Sequence, residues 1–122
     1  MCTIYDIHNC MTFSVRELIL EDKKCPYQDW FSILDRKIQL RVDARVVRFE
    51  KGNLGDHRHL GDGLFEARLF FGPGYRIYFG KINNHIILLL CGGDKSSQDK
   101  DIEKARKLLK NFLEDNNVNE KS

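Results

Sequence analysis

Apolar residues recur with two different periods along this chain, and each change of period marks an element boundary. Phe13–Leu20 concentrates Phe, Val, Ile and Leu and reads as a strand, ended by the charged cluster Glu21–Lys24. Pro26 suits a first helical position, and Tyr27, Trp30, Phe31 and Leu34 follow at i, i+3, i+4 and i+7, which predicts a short amphipathic helix. A second helix is expected from about Arg36 to Lys51, with Ile38, Val42, Val46 and Phe49 on one stripe and Gly52 as its stop. Gly52–Gly63 holds four glycines and reads as a turn-rich connection. In Leu64–Phe71, Phe65, Ala67, Leu69 and Phe71 alternate with Glu66 and Arg68, the pattern of a half-buried strand. Gly72–Pro73–Gly74 is a tight connection, so Tyr75–Lys81 should return antiparallel. Beyond the turn at Asn83–Asn84, Ile86–Cys91 is apolar on both faces and reads as a central strand. A last helix is expected from about Asp99 to Leu113, with Ile102, Ala105, Leu109 and Phe112 on one side.

The predicted order is β-α-α-β-β-β-α. Successive hairpin strands after a helical pair define an α+β domain with helices packed on one sheet face. The open face would then carry Arg68, Arg76 and Tyr78. With 122 residues the chain is long enough for one compact domain and too short for two. That domain is expected over residues 11–115, with residues 1–10 as an N-terminal extension and 116–122 as a polar tail.

Charge changes the picture only when it is divided along the chain. The net charge is +2, but residues 36–51 alone carry six basic and two acidic side chains. Lys37, Arg41, Arg45 and Arg48 follow one another at steps of four, four and three, which puts them on one helical face. That face is either simply solvated or a docking surface for phosphates or an acidic partner.

The four cysteines, Cys2, Cys10, Cys25 and Cys91, have no metal-bracketing spacing and are expected to be reduced thiols. The longest apolar run, Ile86–Cys91, is six residues, far short of the roughly 20 that span a membrane. The first ten residues have neither a basic start nor a hydrophobic stretch, so a cytoplasmic protein is the expectation.

The usual catalytic signatures (GxSxG, P-loop, HExxH, paired Cys-His clusters) are absent from the sequence. His57 and His59 would share a side of an extended segment; they lack a third metal ligand at a recognisable spacing, and no metal or other cofactor is expected. As acid or base they are candidates, because a neutral imidazole accepts a proton near neutral pH more readily than Lys or Arg. The remaining chemistry is a set of basic and phenolic groups: Arg68, Arg76 and Tyr78 on strands, Lys95 after the central strand, and Arg58 in the loop. Guanidinium forks match phosphate oxygens and could clamp a phosphodiester without a metal. The alternative is that Glu66 and Asp94 neutralise Arg68 and Arg76 as ion pairs.

The segments GNLGDHRHLGDG (52–63), GLFEARLFFGPGYRIYFG (63–80) and GGDKSSQ (92–98), with the helix containing Trp30, resemble the RelE/ParE toxin superfamily. The likeness is to its HigB-like branch of addiction-module killer proteins and covers about residues 11–115. It implies a small, twisted, mainly antiparallel sheet with two helices packed on one face. It also implies a toxin of a type II toxin–antitoxin system: an endoribonuclease that cuts mRNA on the ribosome without a metal. In that scheme the 2′-hydroxyl attacks the adjacent phosphate, leaving a 2′,3′-cyclic phosphate and a 5′-hydroxyl.

By motif position, Arg76 would stabilise the scissile phosphate, Lys95 would do the same or protonate the leaving oxygen, and Arg68 would support them. Tyr78, His57 and His59 stay open as acid or base. Arg58 stands where this branch often has Lys, and Ala67 departs from the usual ELR. The implied partner is a small helix-turn-helix antitoxin, with ribosomal RNA or that antitoxin on the basic helix. The same superfamily also implies a different function, a ParE-like inhibitor of DNA gyrase that cuts nothing.

Overall fold

The computed structural model describes residues 12–116. The expected N-terminal extension, with Cys2 and Cys10, lies outside them, as does the tail beyond residue 116. The chain runs β1 (Ser14–Glu17), α1 (Pro26–Ser32), α2 (Arg36–Glu50), β2 (His57–Gly61), β3 (Leu64–Leu69), β4 (Tyr75–Ile82) and β5 (Ile86–Asp94). A 3-10 turn (Lys95–Ser97) then leads into α3 (Gln98–Asp115). The strands form one mixed sheet in the order β1-β5-β4-β3-β2, with β1 parallel to β5 and every other pair antiparallel.

The α+β class stands, but the element order needs correcting, because the stretch read as turns contains a strand. His57–Gly61 has no run of strand-forming residues and is exposed over most of its length, so hydropathy does not mark it. Its pairing comes from the backbone. Asp62 and Gly63 both have positive φ (55° and 81°), the conformation of a two-residue Asp-Gly hairpin turn, and this folds β2 onto β3. Asn83 and Asn84 (φ 54° and 62°) also take positive φ, in the three-residue turn 83–85 that closes β4 onto β5.

The apolar alternation accounts for two cores. Ala67, Leu69, Ile77, Phe79, Ile87 and Leu89 face α1 and α2 and pack with Tyr27, Val42 and Phe49. On the other face, Leu64, Tyr78, Ile82, Leu88 and Leu90 pack with Ala105 and Leu109 of α3. Helices therefore cover both faces, which is why β5 is apolar on both. The face carrying Arg68, Arg76 and Tyr78 is not open along its length, and Tyr78 lies wholly beneath α3 and its neighbours. The consecutive Gly92 and Gly93 at the end of β5 admit a helix on each side: a side chain at Gly92 would collide with Trp30 of α1, and one at Gly93 with Asp101 of α3.

Arg45 corrects the basic-stripe expectation. It is three residues after Val42 and four before Phe49, so it falls on the core-facing side of α2 and is only 6% exposed. Burial lowers its pKa, and its side chain is held by backbone oxygens. Nη1 donates to Arg68 O at 2.8 Å, Nη2 to Asp56 O at 2.6 Å and to Leu54 O at 3.0 Å, and Nε to Leu54 O at 3.2 Å. The guanidinium thus fastens α2 to the loop before β2 and to β3. Arg45→Met should lower unfolding stability by about 1.5–3 kcal/mol, the range for a hydrogen bond to a charged group. Urea denaturation followed by circular dichroism measures this, and an unchanged midpoint would contradict the anchoring role.

Candidate functional site

Strand register assembles the site. Arg58 lies opposite Glu66, Glu66 opposite Tyr78, and one pleat further along Arg68 lies opposite Arg76. Directly paired residues share a sheet face, and so do residues two apart, so these five side chains stand together. They occupy the end of the α3 face where the helix begins.

Glu66 is at the centre and is completely buried. Its Oε1 accepts from Arg58 Nε at 2.9 Å. Its Oε2 accepts from the Tyr78 hydroxyl at 3.0 Å and from Gln98 Nε2, on the first residue of α3, at 2.9 Å. Arg76 Nε lies 3.6 Å from the same oxygen, an ion pair without hydrogen-bond geometry. Burial opposes the charged carboxylate, but the hydrogen bonds from Gln98, Tyr78 and Arg58, with the Arg58 charge, outweigh it and hold the Glu66 carboxyl below its ordinary value. Burial, and then the adjoining Glu66 charge, push the Tyr78 phenol well above its ordinary value, so it remains a protonated donor.

The loops complete the surroundings. Arg76 is 8% exposed, and its Nη1 donates to Gly74 O at 2.7 Å within the β3–β4 hairpin. Arg68 Nε sits 3.2 Å from Asp56 Oδ2. Asp94 caps the 3-10 turn, accepting from Ser96 N at 2.8 Å, and these hydrogen bonds from Ser96 lower its pKa. The turn is thereby set against the hairpin, with Lys95 N donating to Pro73 O at 3.4 Å. A Cβ on Gly74 would lie 3.2 Å from Arg76 Nη1 and 3.6 Å from Lys95 Cβ, so Lys95 and Arg76 flank this glycine.

Of the sequence candidates, Arg58, Arg68, Arg76, Tyr78 and Lys95 are brought to one end of the sheet. Tyr78 is too deeply buried to touch a ligand and acts through Glu66. His57 and His59 are not brought there. They pair opposite Ala67 and Phe65, which places both imidazoles on the other sheet face, with His59 stacked on Phe65 at 4.6 Å between ring centroids. Of the α2 candidates, Lys37, Arg41 and Arg48 are exposed while Arg45 is internal. Arg41 reaches the β3–β4 hairpin, its guanidinium carbon 4.3 Å from the Phe71 ring centroid.

The ion-pair alternative is realised with different partners: Glu66 holds Arg58 and Arg76, Asp56 holds Arg68, and Asp94 is a cap. Glu66 and Gln98 are the members missed as site residues. A glutamate at an apparently outward strand position, flanked by candidate arginines, was the available signal for the first. Gln98 gave none, since its reach depends on where α3 starts.

Two surface clefts, of about 850 and 1060 Å³, lie away from this cluster, one beside the second half of α3 and the other between β1 and α3. Among the described residues, no group of three or more His, Cys, Asp and Glu could hold a metal ion, and no helix is long and apolar enough to cross a membrane.

No family model matches the chain, and no solved structure matches it. An uncharacterized protein of Haemophilus influenzae is 43% identical over 83 residues, a match covering 67% of this chain and 84% of that protein. The chain belongs to the same family as that protein.

The Glu66 arrangement has a pH signature. A carboxyl whose pKa is lowered by folding stabilises the fold above its unfolded value of about 4.3, and the contribution is lost as pH falls through the lower folded value. Glu66→Gln should therefore be less stable than wild type by about 3–5 kcal/mol near neutral pH, since it leaves two arginines without their counter-charge. The gap should narrow as pH falls below about 4. Urea midpoints collected across that range test this; parallel curves for the two proteins would refute it.

Proposed function

We propose that this protein is a RelE-like toxin that cleaves mRNA on the ribosome, with a cognate helix-turn-helix antitoxin as its partner in the cytoplasm. The observation carrying this reading is the convergence of Arg58, Arg68, Arg76 and Lys95 at one sheet end, with Glu66 fixing two of them. Phosphate binding needs cations held in advance at a set geometry. Arg76 meets that need through Glu66 on one side and Gly74 O on the other, while exposed Lys95 stands beside it.

In the proposed reaction the 2′-oxygen bonds to phosphorus and the bond from phosphorus to the 5′-oxygen breaks. A base takes the 2′-hydroxyl proton, and the departing 5′-oxygen gains one. Arg76, Arg68 and Lys95 stabilise the additional negative charge on the phosphate, and the Lys95 ammonium can give the leaving oxygen its proton. Glu66 and Tyr78 are positioning residues in this scheme. The histidines, on the opposite face, are outside it, and the base comes from elsewhere on the ribosome–mRNA complex or from solvent.

That last feature favours a second reading, a ParE-like inhibitor of DNA gyrase that cuts nothing. The cluster holds no histidine, and its one phenol is buried.

Brief induction followed by 5′-end mapping of cellular mRNA separates the two. Cuts inside translated frames are expected, and Arg76→Ala should reduce them by about 10²–10³-fold, the scale for loss of one charge-stabilising donor. Translated mRNA left intact, together with inhibition of gyrase supercoiling by the purified protein, would replace the first reading with the second.

A further inference from the structure

Phe70 is 76% exposed, although its neighbours Leu69 and Phe71 both pack into the core. The other large apolar side chains left exposed among the described residues, Ile19, Ile33, Leu40 and Val47, are aliphatic. Phe70 sits in the β3–β4 connection, which is closed by hydrogen bonds from Phe71 N to Leu69 O and from Gly74 N to Phe71 O, each 3.0 Å. It is therefore held on a short, internally bonded turn.

Its surroundings are cationic. The Arg68 guanidinium carbon lies 5.5 Å from the Phe70 ring centroid, and Arg41 stacks on the adjoining Phe71. Arg76 and Lys95 flank Gly74 at the other end of the same turn. An aromatic face open to solvent beside guanidinium groups supplies both elements of single-strand recognition: a surface for an unpaired base and cations for the phosphates on either side of it.

We propose that Phe70 is a stacking platform for one unpaired base of single-stranded RNA, with Arg68 and Arg41 contacting the neighbouring backbone. This inference rests on the RNA-directed reading above and adds to it a strand-positioning contact outside the Glu66 cluster. Stacking is tolerant of base identity, so Phe70 would set where the strand lies and how firmly it is held.

The test uses a single-stranded oligonucleotide of about ten nucleotides, 2′-O-methylated so that it cannot be cut, carrying one fluorescent 2-aminopurine. Wild-type protein and Phe70→Trp should bind it and quench the 2-aminopurine. Phe70→Ala should bind about 5- to 100-fold more weakly, without quenching. It should keep the wild-type slope of affinity against salt, because no phosphate contact is removed. Phe70→Ala should also match wild type in urea midpoint, which separates a lost platform from a damaged fold.

A Phe70→Ala protein that binds and quenches like wild type overturns this inference and leaves the ribonuclease reading standing. Wild-type protein that binds no oligonucleotide also overturns it. The mapping of Arg76-dependent cuts in cellular mRNA then decides the broader reading independently.

Discussion

A carboxylate cut off from water keeps its charge only where cations and hydrogen-bond donors take the place of solvent, and much of this structure is arranged around that requirement at Glu66. Its partners come from three other elements. Arg58 is on the edge strand β2, Tyr78 and Arg76 are on β4, and Gln98 begins α3, while β3 carries Glu66 itself. A weakly patterned edge strand and the start of the last helix are thus tied to the middle of the sheet by one buried charge. Such networks are worth most when complete, because losing one member leaves the others buried and unpaired.

The same requirement explains the arrangement of the arginines. Arg68 and Arg76 lie directly opposite each other on adjacent strands, which for like charges is unfavourable. The structure resolves this by giving each its own carboxylate, Asp56 for Arg68 and Glu66 for Arg76. Asp56 owes its position to a further constraint, the buried Arg45 that gathers the carbonyls of Leu54, Asp56 and Arg68. The outcome is a graded surface: Arg76 held by Glu66 and Gly74 O and nearly covered, Arg68 and Arg58 partly open, and Lys95 and the Phe70 ring exposed. A surface of this kind suits a flexible polyanion laid across it better than a small molecule enclosed in a cavity. The two clefts described above lie elsewhere and play no part in it.

Much of this was legible in the chain because periodicity reports which side chains are buried. The helices near 26–32, 36–50 and 98–115 and the strands β3, β4 and β5 follow from apolar spacing and from the turn residues between them. The strand placement of Arg68 and Arg76 was legible too, since charged residues interrupting an alternating strand demand a partner or a ligand. Strand β2 was not legible: DHRHLG has no apolar alternation, and its pairing is a property of the Asp62–Gly63 turn and of the β3 backbone. Arg45 misled for a related reason. A row of cations at helical spacing looks like a solvated face until the position of the core around the helix is known, and Val42 and Phe49 place Arg45 on the inner side.

The sequence by itself determined the α+β class, most of the element boundaries and the strand positions of Arg68 and Arg76, though not that of Arg58, since each depends on local spacing, turn chemistry and burial pattern. Only the tertiary structure decided which of those residues meet. Strand register put Arg58, Glu66 and Tyr78 in one row and sent His57 and His59 to the opposite face. The seating of α3 on the face of Glu66 buried Tyr78 and brought Gln98 to the carboxylate. The physical reason is that a one-residue step in a strand reverses the face a side chain occupies, and that choice is made by pairing between segments distant in the chain, which no local pattern records.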